Sequence, residues 1–259
     1  MSAPSSGEKG ERIAKRLARA GLCSRREAER WIAEGRVAVD GAVLTGPAVV
    51  VGPGARITVD GRPLAAPAAT CLWRYHKPSG LICTRRDPQG RPTVFDALPE
   101  GLPRVVSVGR LDLTSEGLLL LTNDGGLARR LELPATGWLR RYRVRAYGEA
   151  DGAALTALEG GVTIGGIAYG PIKARLDRRQ GRNAWYMVSL REGKNRELRH
   201  VLEHLGLEVN RLIRISFGPF QLGNLAPGAV AEVPAKVLAE QLGKGEEDHK
   251  ASRHAHRRR

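Results

Sequence analysis

Val105-Val106-Ser107-Val108-Gly109-Arg110-Leu111-Asp112-Leu113-Thr114-Ser115-Glu116-Gly117-Leu118-Leu119-Leu120-Leu121 is a pair of apolar runs around a polar, glycine-flanked insert. The runs are short, aliphatic and bounded by Gly, which is the pattern of buried strands. The insert, residues 109 to 117, reads as a loop. It holds a carboxylate, Asp112, two residues from a guanidinium, Arg110. Loops carried on a rigid sheet are where catalytic groups concentrate, so this insert is the first candidate site.

Further segments with strand character flank this pair. They are Leu72 to His76, Leu81 to Thr84, Arg104 to Val108, Leu118 to Thr122, Arg140 to Tyr147, Ile172 to Leu176, Ala184 to Leu190 and Val209 to Ile215. Helices are predicted to start near Asp124, Asp151 and Asn195, each with a residue suited to capping. Several connections are too short for a parallel crossover. The expectation is an α+β domain built on a mostly antiparallel central sheet flanked by helices.

The N-terminal part reads differently. Arg12 to Ala20 has helical spacing, with Ile13, Leu17 and Ala20 on one side and Arg12, Lys15, Arg16 and Arg19 on another. Gly21 is a stop signal. Ser24-Arg25-Arg26-Glu27 has capping-box spacing and opens a second helix carrying Ala28, Trp31 and Ile32. Val37-Ala38-Val39 and Ala42-Val43-Leu44 flank Asp40-Gly41, a hairpin-turn dipeptide, and Ala55 to Val59 reads as a further strand before Asp60-Gly61. Two basic helices followed by short strands resemble the S4 RNA-binding domain. Under that resemblance Arg12, Lys15, Arg16, Arg19, Arg25, Arg26 and Arg30 face phosphates; the alternative is that these charges are merely solvated. The expected organisation is a disordered tail at 1–10, the S4-like domain at 11–66, a Pro- and Ala-rich linker at 67–71, a catalytic domain at 72–243 and a disordered basic tail at 244–259.

The 259 residues carry 42 Lys and Arg against 27 Asp and Glu, a formal net charge of +15. An excess of that size suits a polyanion, most simply RNA or DNA. The cysteines, Cys23, Cys71 and Cys83, are odd in number and match no zinc spacing, which suits a reducing compartment. No apolar run is long enough to span a bilayer. A cytoplasmic, soluble protein without a membrane partner is expected. Nucleophile elbow, P-loop, zinc-protease and dinucleotide signatures are all missing, so no metal site is predicted.

With those classes set aside, the insert becomes specific. Gly109 to Leu119, followed by Thr122-Asn123-Asp124-Gly125, resembles the catalytic motif of RNA pseudouridine synthases, in the form of the RsuA/RluB-type ribosomal branch. His76-Lys77-Pro78-Ser79-Gly80 resembles that family's opening strand and turn. Arg141-Tyr142-Arg143-Val144 resembles its tyrosine motif. Gly193-Lys194-Asn195-Arg196-Glu197-Leu198-Arg199, with Leu212-Ile213-Arg214-Ile215, resembles its late basic motif. His200 stands where relatives commonly carry a second arginine. Cys83 to Asp96 is similar to members acting on large-subunit RNA.

The resemblance implies a cofactor-free reaction in which uridine in ribosomal RNA is detached from its sugar, turned and rejoined through carbon. It implies Asp112 as nucleophile, Arg199 as its buried partner and Tyr142 as the stacking residue. Arg110 and Lys77, with Lys194, Asn195 and Arg196, become RNA contacts. Simpler roles stay open. Asp112 is also a normal turn residue, Tyr142 a normal core residue, and Arg199 an ordinary phosphate contact. Arg110 could pair with Glu116, and Lys77 could be a solvated strand end. The expected partner is 23S ribosomal RNA or a ribosome-assembly intermediate, and the expected state a monomer. The alternatives are the same reaction on small-subunit 16S RNA, a non-catalytic assembly factor, or a DNA-binding protein.

Overall fold

Residues 10–243 are described by the structure, a computed structural model; the tails expected at 1–10 and 244–259 lie outside them, Gly10 apart. The chain divides into two units, one drawn mainly from residues up to Thr70 and the other mainly from Cys71 onward.

The first unit runs β1 (Glu11–Arg12), α1 (Ile13–Arg19), α2 (Arg25–Ala33), β2 (Val37–Val39), β3 (Ala42–Val43), β4 (Val50–Val51), β5 (Ile57–Val59) and β6 (Arg62–Pro63). Helical spacing turns Ile13 and Leu17 of α1 toward Ala28 and Ile32 of α2, and Val37 and Ile57 complete this small core. The predicted capping box is present: the Glu27 N–H donates to Ser24 Oγ at 3.1 Å, and the Ser24 N–H donates to the Glu27 carboxylate at 3.3 Å. Asp40-Gly41 and Asp60-Gly61 both turn with positive φ at each residue, the geometry of two-residue hairpins. The second of these turns makes Arg62–Pro63 an edge strand beside β5, where the composition predicts the approach to a linker. Proline is tolerated there because an edge strand can spare an N–H. The unit also opens on a strand, since Glu11–Arg12 pairs with β4 before α1 begins.

The second unit contains β7 (Leu72–Lys77), β8 (Val106–Val108), β9 (Ser115–Thr122), α3 (Gly125–Glu132), β10 (Arg140–Tyr147), α4 (Gly152–Ala157), β11 (Val162–Ile164), β12 (Ile167–Tyr169), β13 (Ile172–Gln180), β14 (Asn183–Leu190), α5 (Glu197–His204), β15 (Glu208–Phe217), β16 (Phe220–Gln221) and β17 (Val230–Glu232). A last helix, α6, covers residues 235–243. The central sheet has the order β13-β14-β10-β15-β9-β7-β17, with β8 on β9 and β16 on β15. Its pairings are antiparallel except β9 with β15. This is the α+β architecture expected, with a mostly antiparallel sheet.

Alternation along the strands sends every second side chain into one of two cores. Val144 and Ala146 of β10, with Tyr186 and Val188 of β14, pack under Leu155 of α4 and Leu198, Val201 and Leu202 of α5. Leu118 and Leu120 of β9, with Leu72, pack against Leu127 and Leu131 of α3 and Leu238 of α6. Burying one such leucine stabilises the fold by about 1.5–3 kcal/mol, so the two clusters anchor the two halves of the sheet.

Three local expectations are corrected. Ser115, Glu116 and Gly117 belong to β9 rather than to the loop, because they pair with Leu212, Ile213 and Arg214. Leu81 to Thr84 forms no strand; only an Ile82–Thr93 bridge is present. The helix expected from Asn195 starts at Glu197, and Arg196 precedes it with φ of 50°. The chain turns on Arg196 there, with no side-chain cap.

Candidate active site

Gly109 to Thr114 connects β8 to β9 and is fastened from several sides. The Gly109 N–H donates to the Glu132 carboxylate at 2.7 Å. Cys83 Sγ lies 3.4 Å from both the Leu111 N–H and the Leu111 carbonyl. Gly80 N–H donates to the Leu113 carbonyl at 2.9 Å. Lys77, fully buried, spends its ammonium on the carbonyls of Pro78 at 3.0 Å, Leu113 at 3.2 Å and Ser115 at 2.8 Å. Arg199 donates to Thr114 Oγ1 at 2.9 Å and to the Val209 carbonyl at 3.2 Å.

What these ties leave free is the side chains of Arg110 and Asp112. Both line a cleft of about 810 Å³. Among the described residues the Asp112 carboxylate has only a long 3.5 Å contact, from Ser115 Oγ. Tyr142, Arg140, Arg214, Asn195, Arg196 and Glu197 also line the cleft. The volume suits a nucleoside-sized guest, within the roughly 300–1,000 Å³ of small-molecule sites.

The electrostatics are set by burial. Lys77 and Arg199 are both pushed below their ordinary pKa by desolvation, and the charge of Asp112 opposes that shift in each. Arg140 is shifted down by burial as well, held near the Trp138 and Arg191 carbonyls and the Phe217 ring. Glu197 is pushed up by burial; one oxygen accepts the Lys194 N–H at 2.9 Å and the other has no hydrogen-bond partner among the described residues. Arg214 is buried too, donating to the Leu118 carbonyl at 2.8 Å, and one terminal nitrogen has no hydrogen-bond partner among the described residues.

Several residues sit differently from their expected places. No hydrogen bond or ion pair joins Arg199 to Asp112; its guanidinium holds Thr114, two residues further on. Lys77 is neither a solvated strand end nor open to a phosphate, because three carbonyls enclose it. Arg110 does not pair with Glu116, which takes a two-pronged bond from Arg211 at 2.9 and 2.8 Å. Lys194 is engaged by the Ala168 carbonyl at 2.6 Å and Glu192 at 2.8 Å. Arg140, Glu197 and Arg214 were not among the predicted site residues. Arg214 and Glu197 stand inside the quoted late motif; Arg140 precedes the tyrosine motif by one residue. No periodic signal distinguishes any of them.

In the first unit, Lys15 and Arg16 pair with Glu11 at 3.4 and 3.3 Å, and Arg30 lies between Glu27 at 3.7 Å and Glu34 at 3.5 Å. The basic residues of these helices are therefore partly compensated. Arg12, Arg19, Arg25 and Arg26 are exposed, and among the described residues no carboxylate pairs with Arg25 or Arg26.

Comparison with known proteins joins this geometry to a family. Residues 72–204 match the family model described as RNA pseudouridylate synthase, and residues 11–57 match the S4 domain. An uncharacterized RNA pseudouridine synthase of Rickettsia felis is 49% identical over 228 residues, spanning 88% of this chain and 99% of that protein. The chain belongs to the RNA pseudouridine synthase family. The synthase is thus an isomerase that carries an S4 domain. It is also similar to the ribosomal large subunit pseudouridine synthase B of Salmonella typhi, 46% identical over 220 residues, covering 82% of this chain and 75% of that one. A crystal structure of a pseudouridylate synthase superposes with a TM-score of 0.61 at 23% identity, covering 88% of the synthase and 98% of the other chain, which establishes the shared fold. Among the described residues no helix is long and apolar enough to cross a membrane.

Proposed function

We propose that this synthase converts a uridine of large-subunit (23S) ribosomal RNA to pseudouridine, with Asp112 as the nucleophile. The carrying observation is the loop itself. Its backbone and Thr114 are fastened to the fold, while the Asp112 carboxylate is left facing the cleft. The name of the Salmonella typhi relative, and the similarity of Cys83 to Asp96 to large-subunit enzymes, support the choice of RNA.

The chemistry needs the target base out of its stack, since neither the sugar carbon nor the ring is reachable inside a helix. The cleft supplies room for the extruded nucleoside, and its arginines supply charge for the flanking phosphates. Tyr142 lies against the base and retains it while it turns; stacking of this kind contributes about 1–3 kcal/mol, enough for capture but not for bond cleavage. Arg199 and Lys77 act on Asp112 through its loop: each keeps positive charge near the carboxylate as RNA displaces water. Arg110, which lines the cleft, takes a phosphate or fills the space vacated by the base.

The test is tritium release from ribosomal RNA labelled at uracil carbon five, because that hydrogen leaves when the ring is rejoined through carbon. Asp112→Asn is expected to cut the rate by more than about a thousandfold, roughly 4 kcal/mol of barrier, while the protein stays folded. Wild-type rates in Asp112→Asn and Asp112→Ala would refute the nucleophile. Release from small-subunit RNA in place of large-subunit RNA would refute the substrate.

A further inference from the structure

The register of the sheet exposes a second charged surface, on the face opposite Tyr142. Along β10, Tyr142, Val144 and Ala146 point to the cleft and core, so Arg141, Arg143 and Arg145 point the other way. Antiparallel neighbours share a face. Arg145 therefore lies beside Trp185 of β14, which lies beside Arg178 of β13; on its other side Arg145 faces Arg211 of β15. In the next row Arg143 lies beside Met187, and Met187 beside Arg175. In the row after that, Arg141 lies beside Ser189, and Ser189 beside Lys173. Arg143 covers the Trp185 ring at 4.4 Å.

Some of these charges are answered: Arg143 by Asp177 at 3.4 Å, Arg211 by Glu116, and Lys173 by Glu159 at 3.8 Å. Among the described residues no carboxylate pairs with Arg141, Arg145, Arg175 or Arg178. Strands lie about 4.8 Å apart, and like charges set directly opposite each other destabilise a sheet. A fold that keeps unanswered guanidinium groups at this density is complementary to a polyanion. An aromatic ring inside a basic sheet face is also how sheets hold single-stranded RNA.

We propose that this rear face, built on Arg141, Arg145, Arg175, Arg178 and Trp185, is a second RNA-binding surface, separate from the cleft. The proposal rests on the RNA-modifying reading above and extends it: the synthase grips flanking RNA backbone on one face of its sheet while the target nucleoside occupies the other. Phosphate is the ligand the surface recognises, without base sequence.

The experiment uses the full chain and a transcribed large-subunit ribosomal RNA fragment, with binding measured across a range of salt. The triple variant Arg145→Gln, Arg175→Gln, Arg178→Gln is expected to flatten the slope of log affinity against log salt by about 2–3, and to weaken binding about tenfold or more near physiological salt. The matching Arg→Lys triple, which keeps the charge, is expected to retain the slope. Should the glutamine triple fail to fold, Arg178→Gln alone, at an exposed position, carries the test with a slope change of about one. Wild-type slope and affinity in the glutamine variants would overturn the proposal. So would loss of binding to polyglutamate with RNA binding intact, which would point to an acidic protein instead. Absence of RNA binding by the wild type would overturn both this surface and the reading it rests on, so the two failures are distinct.

Discussion

Glu197 is a carboxyl group with little solvent to ionise into, being 3% exposed with one oxygen unpartnered. Desolvation raises its pKa above the ordinary value of 4.5, and the Lys194 N–H only partly offsets this. The sign of the linkage follows. Folded protein holds this proton to higher pH than unfolded protein does. The stability it contributes is complete below pH 4.5 and is lost as pH rises through the raised value. Glu197→Gln removes the titration. Urea unfolding at pH 4.5, 6 and 7.5 is expected to show the wild type losing ground to the variant, at no more than about 1.4 kcal/mol per pH unit inside that window. A constant difference across the three would show that the group does not titrate there. Glu197 illustrates what a linear reading misses. Its neighbours in sequence are Arg196 and Leu198, and nothing in that pattern says that its carboxylate is buried. Lys77 is the same case: a lysine before Pro-Ser-Gly reads as a phosphate contact or a solvated strand end, whereas three carbonyls enclose its ammonium.

Strand β9 depends on one glycine. Gly117 has φ of 98°, and a Cβ added to it would lie 2.3 Å from the Arg214 carbonyl oxygen on β15. Both the dihedral and the contact forbid a side chain, so Gly117→Ala is expected to destabilise by at least about 3 kcal/mol, seen as a large fall in the thermal midpoint or loss of folded protein. A variant within about 0.5 kcal/mol of wild type would mean that the two strands can separate without cost. The same glycine explains why the sequence pattern makes the loop too long: glycine scores as a breaker, yet here it permits a close backbone approach in the sheet's parallel pair. Strands with clean alternation were legible, and Arg140–Tyr147 has the predicted bounds. The capping box was legible because its chemistry is local. Short strands such as Val162–Ile164 and Val230–Glu232 carry too few residues for any period to register.

The formal charge of the whole chain is +15, and the basic groups behind it include ones on the S4 helices, in the cleft and on the rear of the sheet. In the S4 domain the uncompensated part includes Arg25 and Arg26 on the first turn of α2. Arg25→Gln with Arg26→Gln is expected to lower the salt slope of RNA binding by about 2, uniformly across RNA sequences. Filter binding at several salt concentrations checks this, and an unchanged slope would remove these residues from the interface. The candidate site was legible as a motif, through Asp112, Tyr142 and the late basic segment. Its supports were not, because Lys77, Glu132 and Arg199 reach the loop from segments well separated from it in sequence. That separation also orders events during translation. The floor beneath Asp112 is completed only when Leu212–Arg214 aligns beside Ser115–Gly117. A ribosome-bound nascent chain that has already exposed residue 112 therefore still lacks a finished pocket, and on the role proposed for Asp112 the emerging synthase stays inactive toward RNA until residues 212–214 have left the ribosome.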